Sequence, residues 1–238
     1  MRKLLAAAIV AGTAMAGWAQ PVVADDDEMS LPGEFSANVG LFSDYRFRGI
    51  SQTDNEPAIQ GGFDWSHDSG FYLGTWASNL EFNDAHIEMD FYGGYAGSVE
   101  NFSYDLGVIY YWYPGTRRNQ NFDFIEAAVG VGYDFEVASV SLGANYSPEN
   151  FGASGNALYL ETGVSVPLPS KFTLDASVGY QIIEDEATFG TPDYLTWTVG
   201  LSRPLYGFDL GVAYVDTDEP RCGTGCAATV IFSISRSF

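Results

Sequence analysis

The fold is decided by residues 102–113, which read FSYDLGVIYYWY. Phe102 and Leu106 belong to a set of large apolar side chains at every second position, and Asp105 and Gly107 belong to the alternating polar and small set. This period of two is typical of a β-strand whose two faces meet different solvents. The stretch therefore predicts a half-apolar strand rather than a helix.

The same alternation recurs from Phe35 to the end of the chain, and no segment has a helical period. It predicts twelve strands, at residues 35–47, 57–67, 71–80, 86–96, 102–113, 123–135, 138–147, 157–166, 172–183, 194–203, 208–216 and 227–238. The links between them alternate between tight turns and longer polar loops. Short turns at one end and long loops at the other are typical of an outer-membrane barrel. We therefore predict an all-β fold, a transmembrane antiparallel β-barrel over residues 35–238 with both termini periplasmic.

Aromatic residues support a barrel over the alternative, a secreted β-sandwich, because lipid-facing aromatics gather at the two membrane interfaces. One group lies beside short turns or chain ends: Phe35, Trp65, Phe71, Tyr95, Phe102, Tyr133, Phe172, Phe208 and Phe238. A second group lies near the long loops: Tyr45, Trp112, Tyr146, Tyr180, Trp197 and Tyr214. A soluble sandwich has no reason to place aromatics at two fixed heights.

Charge excludes other classes of protein. The 238 residues contain 10 Lys and Arg against 31 Asp and Glu, a formal net charge of −21, and 16% are aromatic. Binding to nucleic-acid phosphates needs a basic surface, and an acidic disordered chain lacks such aromatic content. We therefore expect a folded protein with no nucleic-acid partner.

The N-terminus has the layout of a secretory signal peptide. A basic start at Arg2 and Lys3 precedes an apolar run from Leu4 to Ala16 and then small residues. We predict a signal peptide at residues 1–24 and an acidic segment at 25–34; a buried first helix is the alternative. The expected location is the cell outer membrane.

The two cysteines, Cys222 and Cys226, flank Gly-Thr-Gly. In an exported protein such a close pair predicts a small disulfide loop. Zinc binding is the alternative, but two thiols without a nearby His supply too few ligands.

The last predicted strand places Val230, Phe232 and Ile234 on one face and ends at the aromatic Phe238. It is similar to the C-terminal strand through which bacterial outer-membrane proteins are delivered to the barrel-insertion machinery. We expect that machinery and outer-membrane lipid to be partners.

A family resemblance lies in residues 43–52 (SDYRFRGISQ), 57–62 (PAIQGG) and 70–79 (GFYLGTWASN). This N-terminal third closely resembles the TorF-type family of outer-membrane porins. The resemblance implies a Gram-negative outer-membrane β-barrel with porin function. It does not identify a substrate.

The face opposite the apolar one is expected to line the pore, and its acids outnumber its bases. The predicted pore-lining residues are Asp44, Arg46, Arg48, Asp64, Glu88, Asp90, Asp105, Glu126, Glu161, Asp175 and Asp209. Acids in a lumen with low-dielectric walls concentrate cations. We predict a narrow channel for passive diffusion of small polar solutes with a preference for cations. A plugged structural or binding barrel remains open, since inward aromatics such as Tyr72 and Trp76 would narrow the lumen.

Arg46 and Arg48 alternate at the end of the first predicted strand, so both are expected on one lumen wall. They form either a constriction that orients solutes or a structural cluster of ion pairs.

We expect no enzyme activity, cofactor or metal. The alternatives are an outer-membrane lipid hydrolase using His67 as base, and a metal site at His86, Glu88 and Asp90. No serine near His67 has the surroundings of a nucleophile, and the chain has no phosphate-binding glycine motif.

Overall fold

The computed structural model describes residues 32–82 and 84–238. The predicted signal peptide, residues 1–24, lies outside them. The strands are β1 (Glu34–Phe42), β2 (Arg46–Phe47), β3 (Ile50–Ser51), β4 (Ala58–Ser66), β5 (Phe71–Phe82), β6 (Ala85–Val99), β7 (Phe102–Trp112), β8 (Phe124–Asp134), β9 (Ser139–Ser147), β10 (Ala157–Pro167), β11 (Thr173–Ile183), β12 (Tyr194–Leu205), β13 (Phe208–Thr217) and β14 (Thr229–Ser237). One α-helix, α1 (Glu186–Phe189), lies in the loop after β11. No helix in the described residues is long and apolar enough to cross a membrane.

Twelve of the strands form one closed antiparallel barrel in the order β1-β14-β13-β12-β11-β10-β9-β8-β7-β6-β5-β4. The first and last strands close it, with Val39 opposite Arg236, and the backbones of Ala37 and Phe238 exchange hydrogen bonds. Closure leaves the barrel without an unpaired strand edge. A barrel in a bilayer needs this closure because lipid cannot form hydrogen bonds with backbone polar groups. The predicted twelve-stranded antiparallel barrel is confirmed.

The outer face of the barrel is apolar over its whole circumference. Large hydrophobic side chains on many strands face outward, including Phe63 with 70% of its surface exposed and Leu106 with 54%. A soluble protein would lose stability by leaving so much apolar surface in water, whereas lipid removes that cost. The chain is therefore an outer-membrane β-barrel, and the alternative of a soluble sandwich is wrong.

The first predicted strand is corrected at its end. We predicted a strand over residues 35–47, but β1 ends at Phe42 and the chain then turns into the barrel. There β2 and β3 form a two-stranded hairpin in which Arg46 pairs with Ser51. We call residues 43–57 the lumen hairpin. Tyr45, expected among the lipid-facing aromatics, lies inside the barrel with 7% of its surface exposed.

Candidate functional site

The lumen hairpin lies across the barrel interior at the end that carries the long loops. Its tip has left-handed backbone conformations at Arg48 (φ 48°) and Gly49 (φ 84°). A side chain at Gly49 would collide with Thr196 and Thr217 on the far wall, so glycine permits this close approach. The hairpin tip therefore reaches across to β12 and β13.

Arg48 fixes the hairpin tip to the barrel wall. Its Nη2 lies 2.7 Å from Glu126 Oε2 on β8, and its Nη1 donates to Gln181 Oε1 on β11 at 3.0 Å. The guanidinium also lies over the Tyr159 ring at 4.4 Å. Arg48 is 3% exposed and Glu126 is fully buried. A planar cation that bonds two partners and stacks on a ring is held in one orientation.

Glu126 is the centre of a buried polar network below the hairpin. Its Oε2 also accepts hydrogen bonds from Tyr111 (3.1 Å) and Asn145 (3.3 Å). Its Oε1 and the Nε of Arg48 are buried without a hydrogen-bond partner in the described part of the chain. Because this network is buried, loss of one charge would leave the other without compensation.

Arg46 connects the base of the hairpin to its own loop and to the loop before β14. Its Nε donates to Asp44 Oδ2 at 2.5 Å and its Nη2 to Asn55 at 2.6 Å. Its Nη1 donates to the carbonyl of Gly225 at 2.6 Å. Asp44 also accepts hydrogen bonds from the hydroxyl groups of Ser51 and Thr53. The pair of Arg46 and Asp44 therefore holds the loop of the hairpin together.

At the height of the lumen hairpin, aromatic side chains pack into the side of the lumen along β5–β8. Tyr45 donates to Glu88 on β6 at 2.7 Å and packs edge-on against Trp76. Next to it lies an aromatic cluster in contact through its rings: Phe82, Tyr113, Phe122, Phe124 and Phe151. The hairpin and these rings therefore pack together on this side of the lumen.

Three acids in the lumen are bonded to tyrosines. Tyr92 donates to Asp64 (2.5 Å), Tyr72 to Asp105 (2.9 Å) and Tyr159 to Glu161 (2.9 Å). A tyrosine hydroxyl satisfies a carboxylate without cancelling its charge. Each of these three carboxyl groups therefore has a hydrogen-bond donor within the lumen.

The opposite side of the lumen, along β9–β14, contains a cavity of about 760 Å³. It extends from Asp44 and Arg46 at the hairpin to Leu168 and Lys171 at the short-turn end. Glu161, Asp175 and Asp209 line it, and most of the remaining wall consists of glycine, serine and small apolar residues. This wall leaves a space with a net negative lining.

The structure distributes the predicted pore residues over three places. Cavity residues are Asp44, Arg46, Glu161, Asp175 and Asp209; the buried layer at the hairpin holds Arg48, Glu88, Asp90 and Glu126; Asp64 and Asp105 lie on the inner face of β4 and β7. The placement of Arg46 and Arg48 on the first barrel strand was wrong, because both belong to the lumen hairpin. Gln181 and Asn145 were not predicted as site residues. The sequence shows only that each is a polar residue at a strand position that faces inward.

Cys222 and Cys226 form a disulfide, as predicted. It closes the loop whose Gly225 carbonyl accepts the hydrogen bond from Arg46. The disulfide therefore shapes the surface against which the base of the hairpin rests.

Neither chemical alternative gains support from the geometry. No cluster of potential metal ligands occurs in the described residues, and His86 is exposed whereas Glu88 and Asp90 are buried. His67 Nδ1 lies 2.7 Å from Ser69 Oγ, but Ser69 also donates its backbone N–H to the same nitrogen within a tight turn. Within the described chain no carboxylate bonds to His67, so the pair lacks the orienting group of a triad.

A closed twelve-stranded barrel with an apolar exterior and a polar lumen defines the class of outer-membrane β-barrels of the porin type. Within that class, the chain belongs to the family Gcw_chp, described as a bacterial protein of unknown function, whose model matches residues 26–238. The resemblance to the TorF-type family stays a prediction. No curated protein sequence matches the chain.

Solved structures with the same fold include outer-membrane channels. The KdgM porin, solved in complex with disordered oligogalacturonate, is 10% identical with a TM-score of 0.57, covering 86% of this chain and 98% of that one. The NanC porin gives 10% identity and the same TM-score, covering 84% and 97%. An outer-membrane channel from Pseudomonas putida F1 is 11% identical with a TM-score of 0.53, and the match covers 91% of this chain and 100% of that one. At such identities the likeness shows the fold alone.

Proposed function

We propose that this protein is a narrow porin-like channel through which small polar solutes diffuse passively, with a preference for cations. The observation that carries the proposal is the cavity of about 760 Å³ lined by Glu161, Asp175 and Asp209. Twelve strands enclose an interior intermediate between side-chain-filled barrels and the wide 16-stranded porins. The lumen hairpin narrows it further.

Cation preference is supported by the balance of charge along the cavity. Arg46 is neutralised by Asp44, and Lys171 is the other base in the lining. Three acids therefore face Lys171, the one lining base without an ion pair among residues 32–82 and 84–238, within low-dielectric walls that focus the field. A cation entering from the short-turn end meets Asp175 and Asp209 first and Glu161 deeper in the lumen.

A plugged barrel is the second candidate, favoured by the hairpin that crosses the long-loop end. Its tip is held by the buried pair of Arg48 and Glu126, and the aromatic cluster fills the adjacent space. In that case the cavity is a closed vestibule with a binding or structural role. Ion conductance separates the two candidates.

The triple variant Glu161→Gln, Asp175→Asn, Asp209→Asn is expected to lose most of the cation preference. The substitutions remove the fixed charges of the cavity while keeping side-chain size. The measurement is the reversal potential in planar bilayers under a salt gradient, which should move toward zero.

The matched control carries Asp68→Asn, Glu100→Gln and Glu136→Gln, which remove equal charge from short turns outside the cavity lining. At physiological salt, charges more than a screening length of about 8 Å away act weakly. The control should keep the reversal potential of the wild type. An unchanged reversal potential in the cavity variant would show that these acids do not set selectivity.

A further inference from the structure

Two arginines lie on the lipid-facing side of the barrel near the short-turn end. Arg203 on β12 shares the outward parity of Leu195 and Val199, and Arg236 on β14 shares that of Phe232 and Ile234. Each is two residues from the end of its strand or of the chain, which corresponds to about 7 Å along the strand. Both cations are therefore placed at the edge of the apolar band.

Aromatic rings hold both guanidinium groups against the barrel wall. Arg203 lies over the ring of Phe172 at 5.1 Å. Arg236 lies between two rings, 5.5 Å from Phe208 and 5.1 Å from Phe238. These contacts hold the charges at interface height.

Neither arginine has an acidic partner among the described residues, in contrast to the other arginines for which ion pairs occur. Arg46, Arg48, Arg117 and Arg221 each pair with a carboxylate. The Nε of Arg203 is buried and lacks a hydrogen-bond partner within residues 32–82 and 84–238. Among the described residues, both cations therefore lack a carboxylate that would compete with an anion from outside the chain.

The wall between the two arginines is apolar. Leu210 on β13 lies opposite both Arg203 and Ile234, and Ile234 precedes Arg236 by two residues on the same face. Leu210 is 38% exposed and Ile234 is 40% exposed. The patch thus offers donors for a phosphate at its edge and an apolar surface for acyl chains beside them.

We propose that Arg203 and Arg236 form a binding site for the phosphate of an anionic glycerophospholipid in the leaflet at the short-turn end. The guanidinium fork matches phosphate oxygens bidentately, and the neighbouring rings and aliphatic side chains receive the rest of the lipid. The site lies on the outer surface and is independent of whether the lumen conducts. It would position the barrel in the membrane through β12–β14.

The test uses the full mature protein, delipidated in a neutral detergent. Short-chain phosphatidylglycerol is titrated while the unfolding temperature is followed by the heat-dependent gel mobility of the folded barrel. We expect the unfolding temperature of the wild type to rise with lipid concentration and then to level off as the site saturates. The variant Arg203→Gln, Arg236→Gln should need about ten-fold more lipid or more for the same shift.

Arg117→Gln with Arg118→Gln is the matched control, since it removes the same charge from a long loop, and it should respond like the wild type. If the double Gln variant does not fold, the exposed Arg236→Gln alone should still weaken the response. An equal response of wild type and variant overturns the proposal. An equal response of the wild type to phosphatidylcholine, which carries no net charge, also overturns the proposal. An equal response to inorganic phosphate overturns it too, because the site would then bind the ion without the lipid.

Discussion

Trypsin is expected to cleave the Arg48→Ala variant after Arg46 about a hundred-fold faster than the wild type or more. In the wild type the Arg46–Phe47 bond lies inside the barrel, with Arg46 3% exposed. Removing Arg48 leaves Glu126 buried without its cation, and breaking a buried pair in this way costs about 3–5 kcal/mol. Since the cleavage rate follows the population of the open hairpin, such a cost raises it by two orders of magnitude or more. Mass spectrometry of the product ending at Arg46 measures the rate.

Two further variants define the cause. Arg117→Ala removes an exposed ion pair with Asp84, which is worth at most about 1 kcal/mol, and should leave cleavage at Arg46 unchanged. Adding Glu126→Gln to Arg48→Ala should slow cleavage again, because no buried charge then remains unpaired. If Arg48→Ala is cleaved at the wild-type rate, Arg48 does not hold the hairpin in the lumen.

Removing the lumen hairpin is expected to raise the single-channel conductance several-fold. Phe42 at the end of β1 lies directly opposite Ala58 at the start of β4, so the two strands can be joined by a two-residue turn. Replacing residues 43–57 by Asn-Gly, the preferred sequence for such turns, should preserve the strand register. The long-loop end of the lumen then loses the segment that crosses it. Planar-bilayer recordings measure the conductance.

Shortening a different loop provides the control. Replacing residues 186–190, which include α1 and lie outside the cavity lining, by Gly-Ser should leave the conductance as in the wild type. An unchanged conductance after removal of the hairpin would show that the hairpin does not limit passage. A rise from zero would instead show that the native barrel is plugged.

Most of the barrel could be predicted because each strand carries its own evidence. In β7, the alternation of Leu106 and Val108 with Asp105 and Gly107 records which face meets lipid and which faces inward. That information is local, so the strand number and the inward parity of the acids follow from the sequence alone.

The lumen hairpin could not be predicted because its evidence is not local. Tyr45 and Phe47 share the parity of Val39 and Leu41, so the pattern predicted that the strand continues past Phe42. The partners that hold Arg48 inside, Glu126 and Gln181, lie 78 and 133 residues away. Only the closed barrel brings them together. The sequence shows that Arg46 and Arg48 lie among acidic residues, but it does not show where in the barrel these two side chains are placed.

Cation-selective conduction is tested most directly by the reversal potential of single wild-type channels in a potassium chloride gradient. A narrow cavity lined by Glu161, Asp175 and Asp209 predicts small, stable conductance steps and a reversal potential of the sign that potassium selectivity gives. A reversal potential of the opposite sign, or a folded barrel that conducts no ions, would contradict it.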